Sequence, residues 1–458
     1  MKAGFCEKDI TPPVGIWLAG FGSREKPCDG INDPLFLRIM VIEDGTGERA
    51  VVVTADLLKF PKALSWRVKS WCERQLMIKS SSVLINSSHT HCAPVLEPQP
   101  CYPHWPIDIH YVEALEQSIR DGIQTALRAL RPVIIKHALH QAHFAINRRL
   151  PDQQGKVSEM RPHEEGYYDP DMPVFTFETP DQHKLLAILY SYACHPTAKG
   201  GYQVSADYPG GISRGLKKRL GQDVITFFAQ GAGGNAKPRF YDKEKKVFAA
   251  ATPEEVDNLG AQVAEGIAAL RESDRMKEIR LSIKTREKEF HLPVDSGKIP
   301  SQEELLSMID DPSAFFAQRI AGRVILEHLR SGSYDKSYVM HATKISLTPD
   351  IEIIGLSGEV TAEVGRMIKD LYPRKSIILL GYCSYTDAYI PNAKMIDEGG
   401  YEPERSGFYH GRIAPFTKGI DRIITKEVLS LQCGASPQPN LSACEKINVT
   451  RFASATDS

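Results

Sequence analysis

Three features of the sequence predict an α/β fold: short apolar runs rich in β-branched residues, amphipathic stretches of helical period between them, and polar or glycine-rich residues directly after each run. The apolar runs cover residues 50–54, 83–85, 185–192, 224–228, 351–356 and 377–380, lengths that suit buried strands. The helical stretches cover residues 61–76, 111–130, 208–220, 253–270, 314–329 and 361–371. Thr252-Pro253-Glu254-Glu255 opens the fourth of these well, with a capping threonine, a proline in the first turn and two carboxylates facing the positive end of the helix dipole.

At 458 residues the chain is long enough to bury a large core, and it carries no repeat at solenoid or propeller spacing. Residues 1–433 are expected to form one catalytic domain, and residues 434–458, with Ser, Pro, Asn and Thr but no periodicity, a loosely ordered tail. With 56 basic against 57 acidic side chains, the formal charge of −1 gives no general attraction to nucleic acid or to an anionic membrane. No segment is long and apolar enough for stable membrane insertion. The N-terminus lacks a signal-peptide core, and the 9 cysteines are odd in number and scattered, without a Cys-x-x-Cys pair. Both features lead us to expect a cytoplasmic protein with reduced thiols. The expected partner is a small-molecule substrate, and nothing in the sequence fixes an oligomeric state.

Ligands of open α/β sheets gather at the carboxyl ends of the strands, so the residues after each apolar run are where chemistry is expected. After residues 83–85 comes Asn86-Ser87-Ser88-His89-Thr90-His91, and after residues 185–192 comes Ala193-Cys194-His195-Pro196. The next three runs lead into the glycine-rich residues 229–235, into Ser357-Gly358-Glu359, and into a stretch holding Tyr382, Tyr385 and Tyr389. Each signal is weak alone. A single histidine is more often a hydrogen-bonded structural residue, the reading given to His143 and His341. Glu359 suits the first turn of a helix starting near Thr361 as well as it suits catalysis. The glycine-rich loop lacks the spacing of a phosphate-binding or dinucleotide motif. Taken together, two imidazoles and a carboxylate at the ends of neighbouring strands make up the donor set of catalytic zinc.

Asp9-Ile10-Thr11-Pro12-Pro13, Ser88-His89-Thr90-His91, Cys194-His195-Pro196, Ser205-Ala206-Asp207-Tyr208-Pro209-Gly210, Phe228-Ala229-Gln230-Gly231 and Gly358-Glu359 stand in the order and context seen in neutral ceramidases. The chain resembles that family from about Gly4 to Phe416. The resemblance implies a mixed-sheet zinc-hydrolase core and a Zn2+ held by His89, His195, Glu359 and Tyr389, with Tyr385 competing for the last place. It also implies that His91 and Arg148 steady a developing oxyanion. Tyr401, twelve positions after Tyr389, completes the implied pocket.

The chain departs from the family pattern where neutral ceramidases carry Gly-Asp-Val-Ser-Pro, with the serine proposed as acyl acceptor. Here Gly234-Asn235-Ala236-Lys237-Pro238 puts Lys237 in the serine's place. Judged by its 458 residues, the chain is also expected to lack the immunoglobulin-like domain that ceramidases carry after the core. Lys237 reads either as a salt-bridged surface lysine or as a cation for an anionic substrate group or the oxyanion. The expectation is hydrolysis of a carboxamide or ester by metal-activated water, on a small polar N-acyl compound. The alternatives are elimination or isomerisation of a carbohydrate with Lys237 or Tyr401 as base, a true ceramidase, or a binding module that has lost catalysis.

Overall fold

A computed structural model describes residues 1–101, 105–314 and 316–431. The expected tail at 434–458 lies outside the described residues. All six apolar runs are strands, and all six amphipathic stretches are helices with ends shifted by at most two residues. Thr252 caps its helix as anticipated: its side chain accepts from the Glu255 N–H, while the Glu255 carboxylate accepts from the Thr252 N–H.

The strands form three main sheets, each with one parallel pair. In the first sheet Val83–Ser87 lies parallel to Arg49–Ala55, and Phe36–Glu43 and Lys2–Asp9 continue it antiparallel. In the second, Ile225–Gln230 lies parallel to Leu185–Tyr192, followed antiparallel by Asp171–Glu178, Ile134–Gln141 and Lys277–Ile279. The third pairs Ser376–Leu380 parallel with Ile351–Leu356, then adds Ser337–Thr348 and Lys284–Pro293 antiparallel. A parallel pair needs a crossover, and each has a helix there: Lys62–Leu76, Asp207–Leu220 and Ala362–Asp370. The fold thus contains three strand-helix-strand units, each with its own carboxyl end at which a site can be built.

The inner faces of the three sheets share one apolar core. Met40, Val52 and Leu84 from the first pack with Phe175, Leu189 and Phe227 from the second and Ile345, Ile353 and Ile378 from the third. Helices cover the outer faces. Val68 and Ile119 meet Ile39 and Val53 on the first sheet, Ile212 and Ile267 meet Ile188 and Phe228 on the second, and Ile368 and Ile424 meet Ile354 and Leu379 on the third. Because both faces of the parallel strands are buried, their sequences are continuously apolar and do not alternate.

A buried asparagine ties the three sheets together where their parallel strands end. Asn86 Nδ2 donates to Gly381 O at 2.8 Å, and Asn86 Oδ1 accepts from the Gln230 N–H at 2.8 Å. Isolated bridges between Asn86 and Cys383 and between Gly231 and Leu380 reinforce the junction. This corrects one sequence expectation. The strands that lead to His89, His195 and Glu359 are not neighbours in one sheet, because each belongs to a different sheet. Apolar runs reveal strands, but the pairing depends on antiparallel strands of mixed polarity lying between them.

Candidate metal centre

His89 lies just beyond the Val83–Ser87 strand in the left-handed region, at φ 67°, which a non-glycine residue adopts only when its surroundings enforce it. Two hydrogen bonds to the end of the adjacent parallel strand do so: the His89 backbone N–H donates to Leu57 O at 2.9 Å, and ring Nδ1 lies 2.8 Å from Leu58 O. His195, after Leu185–Tyr192, is held the same way. Its backbone N–H donates to Ala236 O at 2.9 Å, and Nδ1 lies 2.9 Å from Gly233 O. Gly233 permits this approach, since a Cβ there would fall 2.5 Å from Cys194 N. A carbonyl oxygen only accepts, so both Nδ1 atoms carry the proton and both Nε2 atoms are bare acceptors.

The two bare nitrogens face a carboxylate. Glu359 Oε2 lies 3.1 Å from His89 Nε2 and 3.1 Å from His195 Nε2. His91 Nε2 lies 3.3 Å from His89 Nε2, and the metal-binding atoms of His89, His91 and His195 lie within 4.8 Å of one another. Burial and the nearby Arg148 charge push the His195 imidazole down to about 4. Burial, reinforced by His89 and His195, holds His91 well below its usual range. With their Nδ1 protons committed to Leu58 O and Gly233 O, the bare Nε2 atoms of His89 and His195 converge on the Glu359 carboxylate with no proton between them. Such an arrangement suits a cation, and the residues fit a metal ion.

Tyr389 OH lies 3.1 Å from His195 Nε2, with the two rings stacked at 6.1 Å. Tyr385, the competing tyrosine, instead donates its hydroxyl to Val339 O at 2.7 Å. Tyr382, named above without a role, is closer to the centre than Tyr385, with its ring 4.4 Å from His89 and its hydroxyl 3.4 Å from His195 Nδ1. The Arg148 guanidinium sits 5.4 Å over Tyr389 and 5.5 Å over Tyr401. Its Nε donates to Glu402 Oε1 at 2.7 Å, while its Nη2 is buried without an acceptor among the described residues. Arg149 pairs with the other Glu402 oxygen. Burial would raise the Glu402 carboxyl, but Arg148 and Arg149 hold it below its ordinary value.

Lys237 is on the short strand Ala236–Pro238, with Nζ 4.7 Å from the Phe248 ring. Burial brings its ammonium down to about 8, with Arg148 adding to the effect. The other readings of single residues resolve simply. His143 and His341 are hydrogen-bonded to Tyr168 and Glu287, away from the cluster. The helix after Glu359 has Glu363, not Glu359, as its first-turn acid. Glu363 accepts from Asn235 Nδ2 at 2.7 Å and Asn147 Nδ2 at 3.2 Å, bracing the glycine-rich loop against the strand Ala145–Asn147 that leads into Arg148.

Sequence and structure comparisons give one consistent result. The N-terminal model of neutral/alkaline non-lysosomal ceramidases matches residues 1–246, more than half of the chain. Neutral ceramidases of Drosophila pseudoobscura pseudoobscura and Drosophila melanogaster are each 32% identical over 96 residues, 20% of this chain and 14% of theirs. The match thus spans a small part of those relatives' length. The crystal structure of the neutral ceramidase from Pseudomonas aeruginosa superposes with a TM-score of 0.72 at 17% identity, covering 97% of this chain and 77% of that one. A second structure, a ceramidase complexed with C2, gives 0.69 at 17% identity over 97% and 78% of the two chains. At such identity these superpositions establish the mixed α/β fold, and with the family match they show that this chain belongs to the neutral/alkaline non-lysosomal ceramidase family.

Proposed function

We propose that the chain is a zinc-dependent hydrolase that cleaves a carboxamide or ester bond with water, acting on a small polar N-acyl compound. Family membership supports hydrolase activity of the amidase kind. The observation that carries the metal is the approach of Glu359 Oε2 to within 3.1 Å of two imidazole nitrogens that have no proton to share. His89, His195, Glu359 and Tyr389 are the proposed ligands, with His91 beside them. Their mix of nitrogen and oxygen donors suits zinc. When bound, zinc supplies Lewis acidity, making water more acidic and polarising a carbonyl.

The protein's own part is to position and to stabilise charge. Leu58 O and Gly233 O fix the tautomers and orientations of His89 and His195, so their free nitrogens point at one spot. The unpaired Nη2 of Arg148 is available to a developing oxyanion, while Glu402 holds the guanidinium over the two tyrosine rings. His91, kept neutral by burial, is placed to orient water or to pass a proton. An unspent cationic donor and a near-neutral net charge favour a small polar substrate over a membrane lipid. Among the described residues no helix is long and apolar enough to cross a membrane.

Metal analysis of the purified protein and a screen of N-acyl amino acids, N-acyl sugars and detergent-dispersed ceramide test this reading. Zinc near one per chain with release of free amine and acid supports it. A metal-free active enzyme, or a clear preference for ceramide, counts against the metal or the substrate respectively. A second reading has support from Lys237, whose ammonium at about 8 makes a base available at mildly alkaline pH. It predicts isomerised or unsaturated carbohydrate products and no hydrolysis.

A further inference from the structure

Arg412 follows the short helix Ser406–Tyr409, and its Nε, Nη1 and Nη2 are all buried without a hydrogen-bond acceptor among the described residues. The guanidinium lies 4.0 Å from the centre of the Phe416 ring and meets no carboxylate among the described residues. The acids on the Lys59 side of His410 are already committed. Asp387 and Glu97 both pair with Lys59 Nζ, at 2.8 and 2.6 Å. His410, two positions before Arg412, offers no compensation, because burial and then Lys59 push its imidazole down to about 4. A buried and unpaired cation is costly, and burial pulls Arg412 down to about 10, which still leaves it charged at neutral pH.

The position of this cation relates it to the metal centre. The Phe416 ring beneath it lies 6.2 Å from that of Tyr338, whose hydroxyl is 3.3 Å from Ser357 Oγ, two residues before Glu359. The His410 imidazole feels both the Glu359 carboxylate and the Arg412 guanidinium. Tyr409, directly before His410, places its ring 6.2 Å from that of Tyr401. Arg412 thus borders the same end of the third sheet that presents Glu359. A planar guanidinium with free donors pairs with a carboxylate through two parallel hydrogen bonds, a geometry lysine cannot offer.

We propose that Arg412 is the receptor for an oxyanionic group of the substrate, a carboxylate best matching its fork, so that the enzyme prefers acidic N-acyl compounds. The preference rests on the hydrolase reading above, whereas oxyanion binding at Arg412 does not. The test uses the full chain, metal-loaded and chelator-treated, at constant ionic strength. Acetate and sulfate are titrated against chloride while the melting temperature is followed, for wild type, Arg412→Met and Arg412→Lys. Saturable stabilisation of the wild type in both metal states is expected, with the larger response to acetate. The response is expected to vanish in Arg412→Met and weaken in Arg412→Lys. Arg412→Met is also expected to melt no lower than wild type, because it removes an uncompensated charge. With the metal-loaded protein, kcat/KM for an N-acyl amino acid over its neutral amide should be about ten- to a hundredfold, falling close to one in Arg412→Met. No saturable oxyanion response, the same response in Arg412→Met, or a lower melting temperature for that variant would overturn the proposal. Failure to hydrolyse any N-acyl compound sinks the hydrolase reading alone, since oxyanion binding to the chelator-treated protein is read without turnover.

Discussion

Glu359 and His195 meet with Oε2 3.1 Å from Nε2, although neither atom has a proton to give, because the His195 Nδ1 proton is committed to Gly233 O. The first prediction follows from this contact. The purified protein should hold about one divalent ion per chain, and His89→Ala, His195→Ala or Glu359→Ala should lose it. Glu359→Gln is the most telling variant. Its amide can donate to a bare imidazole nitrogen, so the metal-free variant should melt as high as metal-free wild type or higher, while binding metal far more weakly. Calorimetry with and without chelator reads both outcomes. The pH dependence of the metal-free protein follows from His195: folded at about 4 against an ordinary value near 6.5, it binds fewer protons folded than unfolded between those values. Stability should therefore fall as pH drops from about 6.5 towards 4.

The two competing tyrosines separate by function. Tyr385→Phe removes a hydrogen bond to Val339 O and should cost about 1 kcal/mol of stability with metal content unchanged. Tyr389→Phe should weaken metal binding or lower kcat, and it should also cost the metal-free protein about 1 kcal/mol, because the lost hydroxyl lies 3.1 Å from the bare His195 Nε2. Reversed effects would move the ligand role to Tyr385.

Much of this site was legible because its residues directly follow apolar runs, and the runs are continuously apolar because both their faces are covered. His89, His195 and Glu359 stood out as candidates on that ground, each weak alone, and the resemblance to neutral ceramidases joined them into one proposed ligand set. The sheet pairings could not be read in this way, since strands such as Lys284–Pro293, which opens with six polar or charged residues in a row, carry no comparable signal. Glu402 was missed for another reason. Its partner Arg148 is 254 positions away, and nothing local distinguishes it from other acids in a polar turn. Only its place immediately after Tyr401 gave a hint.

Glu402 should prove among the most sensitive acids for stability. It is buried between Arg148 and Arg149, so Glu402→Leu leaves two cations without their counter-charge and should cost about 3–5 kcal/mol. Because its folded carboxyl is held below the ordinary value, its contribution is present above the usual carboxylate range and disappears as pH falls through the folded value. The stability gap between wild type and variant, measured by denaturant melts, should narrow below about pH 4. A gap that is small, or that widens in acid, would show that the arginines are compensated elsewhere.

Lys237 bears on the route of the reaction. Residues 228–239 contain neither serine nor threonine, so no acyl-enzyme on a hydroxyl is expected there, and intact mass spectra during turnover should show the unmodified chain. An acyl group on Lys237 would reverse that conclusion, and its chemistry makes the control necessary. The ammonium is brought to about 8 by burial and then by Arg148, so an appreciable fraction is a free amine at mildly alkaline pH. Labelling with an amine-selective reagent should therefore show a midpoint near 8 for Lys237, against about 10.4 for an ordinary lysine. Arg148→Met should raise that midpoint by removing a like charge. The sign for stability is set by the same shift: the unfolded chain holds the lysine proton to higher pH, so wild type should gain stability over Lys237→Met as pH rises from about 8 to about 10.4. A midpoint near the ordinary value would instead identify Lys237 as a solvated cation, and would remove the support for its acting as a base.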